Sequence, residues 1–210
     1  MSTKTPDLTA AYGLKTPDDN RKLYAEWAGD YDDGFAARED YQLPMHTARA
    51  FVAAGGQGPV LDVGAGTGLC GAVLSGFGVG PLDATDISAE MLAQAMRKDI
   101  YRDAIEADLN LGIPVPRDSY SGVVSSGTFT HGHLGPEVLH ALLRVARPGA
   151  QFAISINAAH FVEKGFDFAL RRMAQGQIEN LKLPQVRIYG DLAAGPHKDD
   201  MAYIALFEKS

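Results

Sequence analysis

Leu61-Asp62-Val63-Gly64-Ala65-Gly66-Thr67-Gly68 runs without a break from an apolar strand into a glycine loop. Residues 59–63 read as a buried strand and the apolar residues 69–77 as the helix that follows. Three glycines at alternate positions exceed what a plain turn needs. They let the chain reverse sharply and bring backbone N–H groups close to a ligand. In an open α/β sheet, ligands bind outside the carboxyl ends of the strands, near the point where strand order reverses.

Downstream, PLDATD (81–86) reads as a second strand, and Ser88 as the N-cap of a helix over 88–99 with Arg97 and Lys98 in its last turn. AIEAD (104–108) and YSGVVSSG (120–127) read as the third and fourth strands. Residues 136–146 are helical and stop at Arg147-Pro148-Gly149. QFAISIN (151–157) is a fifth strand. Residues 159–178 look helical around Phe161, Phe166, Phe168, Leu170 and Met173. VRIYGDL (186–192) and MAYIALFEK (201–209) read as a closing antiparallel pair.

Upstream, a helix over 45–54 ends at Gly55 and Gly56. Asp18 or Asp19 caps another that starts near Asn20, with Leu23, Tyr24 and Trp27 on one face. The polar residues 1–19, with Pro6 and Pro17, read as a mobile arm. Strands alternating with helices predict an α/β, doubly wound, mostly parallel seven-stranded sheet. An antiparallel C-terminal strand pair would close it, residues 20–210 would form one domain, and helices in 20–56 would act as a lid.

The composition agrees with a packed domain: 46% of the 210 residues are hydrophobic and 21% charged. A net charge of −7 argues against a nucleic-acid backbone or an anionic membrane as the main partner. A single cysteine, Cys70, rules out an internal disulfide and fits a reducing, cytoplasmic compartment. The N-terminus shows no apolar signal segment. Asp62 to Asp83 encloses an uncharged span long enough to cross a bilayer, but its seven glycines and Pro81 make it strand, loop, helix and strand instead.

Two cofactors compete for the glycine loop. Gly66-Thr67-Gly68-Leu69-Cys70-Gly71 satisfies the dinucleotide pattern G-x-G-x-x-G, and Asp86 lies at a suitable distance for a ribose. Asp62 decides between them. A carboxylate at that strand end repels a diphosphate and suits a cationic ligand. S-adenosylmethionine carries a sulfonium, an ammonium and no phosphate, so charge complementarity favours it. A nicotinamide-dependent oxidoreductase and a non-catalytic S-adenosylmethionine-binding protein remain as rival readings.

LDVGAGTG resembles the first motif of class I S-adenosylmethionine-dependent methyltransferases. The acidic strand end ATDIS, then EADL, then YSGVVSSG follow in the order of that family, and the resemblance covers roughly residues 20–209. LYAEWAGDYDDGF, with Tyr41 and Pro44 following, and GTFTHGHLGPE resemble more narrowly the methyltransferase-like protein of the Williams–Beuren syndrome region and its bacterial relatives. The resemblance implies roles residue by residue. Asp62 would position the cofactor's amino end. Gly64, Ala65 and Gly66 would lie along its methionine part, and Ser126 and Gly127 would border the carboxylate or methyl group. Asp86 would accept from both ribose hydroxyls, or cap the next helix. Ile87 and Met91 would pack on adenine, with Asp108 accepting from its amine beside Leu109. Tyr31 would contact the cofactor, while Tyr24 and Trp27 either pack on the body as a helix stripe or offer a π face to the sulfonium. Asp30, Asp32 and Asp33 read as a solvated turn.

His131 and His133 follow the fourth strand, where an acceptor would meet the methyl group. A histidine there can take a proton from a hydroxyl or ammonium nucleophile near neutral pH, and a purely structural role stays open. No third ligand accompanies them, so no metal is expected. The other histidines, His46, His140, His160 and His197, have no special context. In-line displacement at a sulfonium leaves a neutral thioether, so alignment is the main lever and can supply ~7–11 kcal/mol. The front helices and residues 158–180 would form a lid that excludes water. No Asn-Pro-Pro-Tyr-type motif and no basic domain are present, so a small organic acceptor methylated on O or N is expected, with the enzyme a monomer or homodimer.

Overall fold

The structure is a computed structural model that describes residues 17–130 and 134–210. Most of the arm expected over 1–19, together with His131 and His133, lies outside the described residues.

Strand β1 (Val60–Val63) is wholly buried, and β2 (Leu82–Asp86), β3 (Tyr101–Glu106), β4 (Tyr120–Phe129) and β5 (Ala146–Asn157) flank it in parallel. β6 (Ile178–Lys182), β7 (Gln185–Arg187) and β8 (Met201–Lys209) complete the sheet. The order is β3-β2-β1-β4-β5-β8-β6, with β8 antiparallel to β5 and β7 also paired to β8. The eight strands fill seven positions, because β6 and β7 pair successive stretches of β8. Pro184 lies between them and lacks the N–H that a continuous strand needs. The chain leaves β1 first toward β2 and later toward β4, so order reverses at β1 and β4, where a ligand crevice is expected.

Alternation along the strands explains the layers. Leu61, Val63, Val123, Ile154 and Phe207 face one core, and Val60, Val124, Ala153 and Ile204 face the other. The first core is covered by α5 (Leu139–Val145), α6 (Ala158–Glu163) and α7 (Phe166–Met173), which contribute Leu142, Phe161, Phe166 and Leu170. The second is covered by α2 (Leu43–Ala53), α3 (Leu69–Gly76) and α4 (Ala89–Met96) through Phe51, Leu74 and Leu92. Helix α1 (Pro17–Trp27) packs on α4, where Trp27 and Ala28 bury Met91.

Some expected boundaries move. Helix α1 covers Pro17–Trp27 among the described residues, so Asp18 and Asp19 fall inside it instead of capping it. Residues 159–178 do not form one helix. Gly165, at φ +71, separates α6 from α7, and the chain is back in a strand by Ile178. Because Phe161, Phe166, Leu170 and Met173 belong to the main core, this segment is part of the body and not a lid. The closing pair is also shorter than expected: β7 ends at Arg187, and residues 191–192 are turn. Ser88 does cap α4, accepting from the Met91 N–H at 3.2 Å.

The uncharged 62–83 span is distributed over loop, helix and strand, and no helix among the described residues is long and apolar enough to cross a membrane. Beyond it, Asp83 is buried and held by Arg102 at 3.0 and 2.6 Å and by the Tyr120 hydroxyl at 2.9 Å. Replacing Tyr120 by Phe removes one of three donors to a buried anion. It is expected to lower unfolding stability by about 1–2 kcal/mol, read by denaturant unfolding.

Candidate functional site

A cleft of about 160 Å³ opens at the carboxyl ends of β1, β2 and β4. The twelve residues named above for the cofactor all line it, and they come from five places in the chain. Asp62, Gly64, Ala65 and Gly66 come from β1 and its loop. Asp86, Ile87 and Met91 come from the end of β2 and the start of α4. Asp108 and Leu109 follow β3, Ser126 and Gly127 belong to β4, and Tyr31 reaches over from the front segment.

The loop is a wound stretch of left-handed residues. Gly64, Gly66 and Gly68 have φ of +62, +56 and +88. A hydroxyl from β4 braces the strand end below it, since Thr128 Oγ1 donates to the Val63 carbonyl at 3.0 Å. Asp86 holds the loop from the side. Its Oδ2 accepts from the Gly66 N–H at 2.8 Å and its Oδ1 from the Ser88 N–H at 3.0 Å. The carboxylate thus joins the glycine loop to the α4 turn, and the helix cap itself is the Ser88 hydroxyl. Burial pushes the Asp86 carboxyl up, against the pull of those N–H groups.

Asp62 is fully buried. The Tyr101 hydroxyl donates to its Oδ2 at 2.6 Å, while Oδ1 has no hydrogen-bond partner. Burial raises this carboxyl to about 6, with the Tyr101 hydroxyl and the Gly71 backbone N–H pulling the other way. Asp108 differs: its Oδ1 accepts from the Asn110 backbone and side-chain N–H groups at 2.9 and 3.0 Å, an Asx turn of its own loop. Three carboxyl groups therefore line the cleft, and no Lys or Arg lines it among the described residues.

The roof is aromatic. Tyr24, Tyr31, Phe35, Tyr41 and Tyr189 follow one another with ring centroids 5.1–6.3 Å apart. Tyr31 and Phe35 lie in a π-helical turn, Tyr31–Ala36. Tyr24 and Tyr41 line the cleft as well, so the expected packing stripe is split: Tyr24 faces the cleft and Trp27 is core. Burial pushes the Tyr24 hydroxyl up to about 12 and raises those of Tyr31 and Tyr41, so all three stay protonated.

The acidic turn is not simply solvated. Asp32 accepts from the Thr67 hydroxyl and from Lys98 Nζ, the latter at 2.6 Å, and Lys98 also donates to the Thr67 carbonyl at 2.8 Å. Lys98 lies beyond the end of α4 and reaches back to the loop. The front turn is thereby clasped onto the glycine loop. Replacing Asp32 by Asn removes the ion pair, and a half-exposed pair of this kind is worth about 1 kcal/mol. The expected result is a roughly fivefold faster release of a bound nucleoside, measured by stopped flow, with the fold intact.

Sequence reading missed Tyr41, Thr128, Thr130, Leu134 and Cys70 as cleft residues. Cys70 and Thr128 carry no signal of their own. Tyr41 is brought in by a single bridge to Tyr189, far away in sequence. His160, given no context above, is fully buried, and its Nε2 lies 2.8 Å from the Leu134 carbonyl, where it anchors the chain at that residue.

Comparison with known proteins follows the same lines. Residues 60–149 match a family model described as a methyltransferase domain. No curated protein matches the chain by sequence. Among solved structures, a TehB-like SAM-dependent methyltransferase from Corynebacterium glutamicum is 22% identical over 90% of this chain and 100% of its own, with a TM-score of 0.63. The 1,6-didemethyltoxoflavin-N1-methyltransferase of Burkholderia thailandensis, solved with its substrate and S-adenosylhomocysteine, is 18% identical over 94% and 92%, with a TM-score of 0.62. The [4+2]-cyclase SpnF is 16% identical over 93% and 97%, with a TM-score of 0.68. The fold is that of the class I S-adenosylmethionine-dependent methyltransferases.

Proposed function

We propose that this chain is an S-adenosylmethionine-dependent methyltransferase acting on a small-molecule acceptor at oxygen or nitrogen. The observation that carries the reading is the buried Asp62, whose Oδ1 lacks a partner in a cleft with three acids and no described Lys or Arg. An ammonium fits that place, and a pyrophosphate does not. The same charge balance disfavours the nicotinamide reading.

S-adenosylmethionine, when bound, supplies a methyl group on a positively charged sulfur. The chain's part is to hold and to exclude. Asp62 receives the amino group, the 64–66 loop gives close backbone approach, and Asp86, fixed by two N–H groups, presents its carboxylate at the ribose position. Ile87, Met91 and Leu109 offer an apolar slot for adenine, and Tyr31 covers it. The aromatic roof keeps water out. His131, with His133 beside it, is the proposed proton acceptor, because Thr130 and Leu134 on either side both line the cleft. The segments 23–35 and 127–137 support placing the chain near the Williams–Beuren-region group. SpnF shows that this fold also hosts a cyclase, so the chemistry rests on the site and not on the fold.

Calorimetric titration tests the reading. S-adenosylmethionine and S-adenosylhomocysteine are expected to bind at micromolar levels, while NAD gives no heat at millimolar levels. Tight NAD binding with no response to the sulfur nucleosides would overturn it.

A further inference from the structure

Beside the cofactor cleft lies a second recess of about 50 Å³, roughly a third of the cleft's volume. The two share Tyr24, Tyr31, Tyr41, Gly127 and Thr130, so they adjoin, with those residues between them. The floor of the recess is the carboxyl end of β4 and β5, with Phe129, Ser155 and Asn157. Phe35, Ile188 and Tyr189 complete its wall.

We infer that this recess holds the methyl acceptor and that the acceptor is an uncharged, single-ring aromatic bearing a hydroxyl group. The inference rests on the methyltransferase reading above and narrows its acceptor class. Three properties of the recess lead to it.

Its walls are rings. Phe35, Phe129, Tyr41 and Tyr189 present flat faces and edges, which favour a planar guest over a branched aliphatic one. At about 50 Å³ it is smaller than a cavity that encloses a whole benzene ring, so it limits the guest to a single ring at most.

It holds no charge. Among the described residues, none that lines it is Asp, Glu, Lys, Arg or His. A carboxylate or ammonium there would be buried with no counter-ion, a cost of several kcal/mol.

Its deepest polar groups are left as donors. Ser155 Oγ already accepts from the Gly127 N–H at 3.1 Å, so its own O–H remains to give. Asn157 Oδ1 accepts from the Ala159 and His160 N–H groups at 2.9 and 3.2 Å, so its side chain has only the NH2 to offer. Both residues are buried, at 1% and 5% exposure. Two buried donors select a guest oxygen with lone pairs and disfavour an ammonium, which brings donors of its own. In the transfer, a lone pair of the acceptor oxygen forms the new O–CH3 bond. The S–CH3 bond breaks with its electrons left on sulfur, and the hydroxyl proton passes to the proton acceptor proposed above.

The test uses the full-length protein saturated with S-adenosylhomocysteine, whose binding is confirmed first by calorimetry. 4-Methylphenol, 4-methylbenzoate, 4-methylbenzylammonium and cyclohexanol are then titrated, followed by NMR of the labelled protein. The expected result is that 4-methylphenol binds at least about tenfold tighter than each of the others. Its shift changes should centre on the backbone amides of Ser155, Asn157 and Ile188. Tighter binding of the benzoate, the ammonium or the alicyclic alcohol overturns the inference, as does binding of none of the four or shifts that centre elsewhere. Failure of S-adenosylhomocysteine itself to bind would instead bring down the methyltransferase reading, so the two failures are distinguishable.

Discussion

Replacing Asp62 by Asn is expected to weaken S-adenosylhomocysteine binding about 10–100-fold, the loss of one charged hydrogen bond in a dry site. The Tyr101 hydroxyl can still donate to the amide oxygen, so the fold keeps its contact. What is lost is the charge, and the amide NH2 would now face the ligand's ammonium. The apo protein should respond in the opposite direction. Burial raises Asp62 from 3.8 to about 6, so the folded state binds its proton more tightly than the unfolded state does. Stability therefore falls as pH rises from about 4 to about 6, by up to about 3 kcal/mol, and the full penalty is present at pH 7. The Asn variant escapes that penalty. At pH 7 it should unfold at the same denaturant concentration as the parent or higher, while binding the nucleoside far less well. Ligand affinity of the parent should decline as pH drops through about 6, where the carboxylate takes up its proton, and the variant should show no such decline. Calorimetry and urea unfolding over pH 5–8 measure both effects. Unchanged affinity in the variant would remove Asp62 from the site.

That opposition between stability and binding explains why this part of the protein was legible from sequence. A charged residue inside an apolar strand, next to a glycine loop, breaks the local rules for a buried strand, and such breaks mark sites. The same logic exposed Asp86, which follows Leu-Asp-Ala-Thr at a strand end. The strand-helix alternation fixed the layers because each buried strand's two faces feed two separate cores. The roof was harder to read. Tyr41 is held at the cleft by pairing of its segment with that of Tyr189, 148 residues away, and no local pattern encodes that. Asp32 was misread because an acidic run ordinarily stays in water. Its partners, Thr67 and Lys98, come from the glycine loop and from beyond the end of α4. The break between α6 and α7 was missed because apolar residues continue on both sides of Gly165, and a lone glycine is tolerated inside a helical pattern.

A single methyl group added at Gly64 is expected to cost more stability than the same change at Gly66. Gly64 has φ +62, where an L side chain pays about 1–2 kcal/mol. A Cβ there would also fall inside the Thr128 side chain, overlapping Oγ1 and meeting even the Thr128 Cβ at 2.9 Å. Thr128 cannot swing away freely, because its hydroxyl is bonded to the Val63 carbonyl at 3.0 Å. Overpacking of this kind adds about 1–3 kcal/mol. Gly64→Ala should therefore lose about 3 kcal/mol, a fall in Tm of roughly 10 °C for a domain of this size. Gly66 supplies the control. Its φ of +56 carries the same backbone cost, but a Cβ there meets nothing within 4 Å. Gly66→Ala should lose only about 1–2 kcal/mol and still fold, with its N–H left to donate to Asp86. Trimming the obstacle separates the two causes. In the Gly64→Ala, Thr128→Ala double variant, Oγ1 and Cγ2 are gone, so the steric part should be partly recovered while the backbone part remains. A double-mutant cycle by thermal unfolding should give a coupling of about 1 kcal/mol between positions 64 and 128. Strict additivity would mean that β4 does not press on the loop. The bracing of the glycine turn by Thr128, which sets how closely its N–H groups can approach a ligand, would then fall with it.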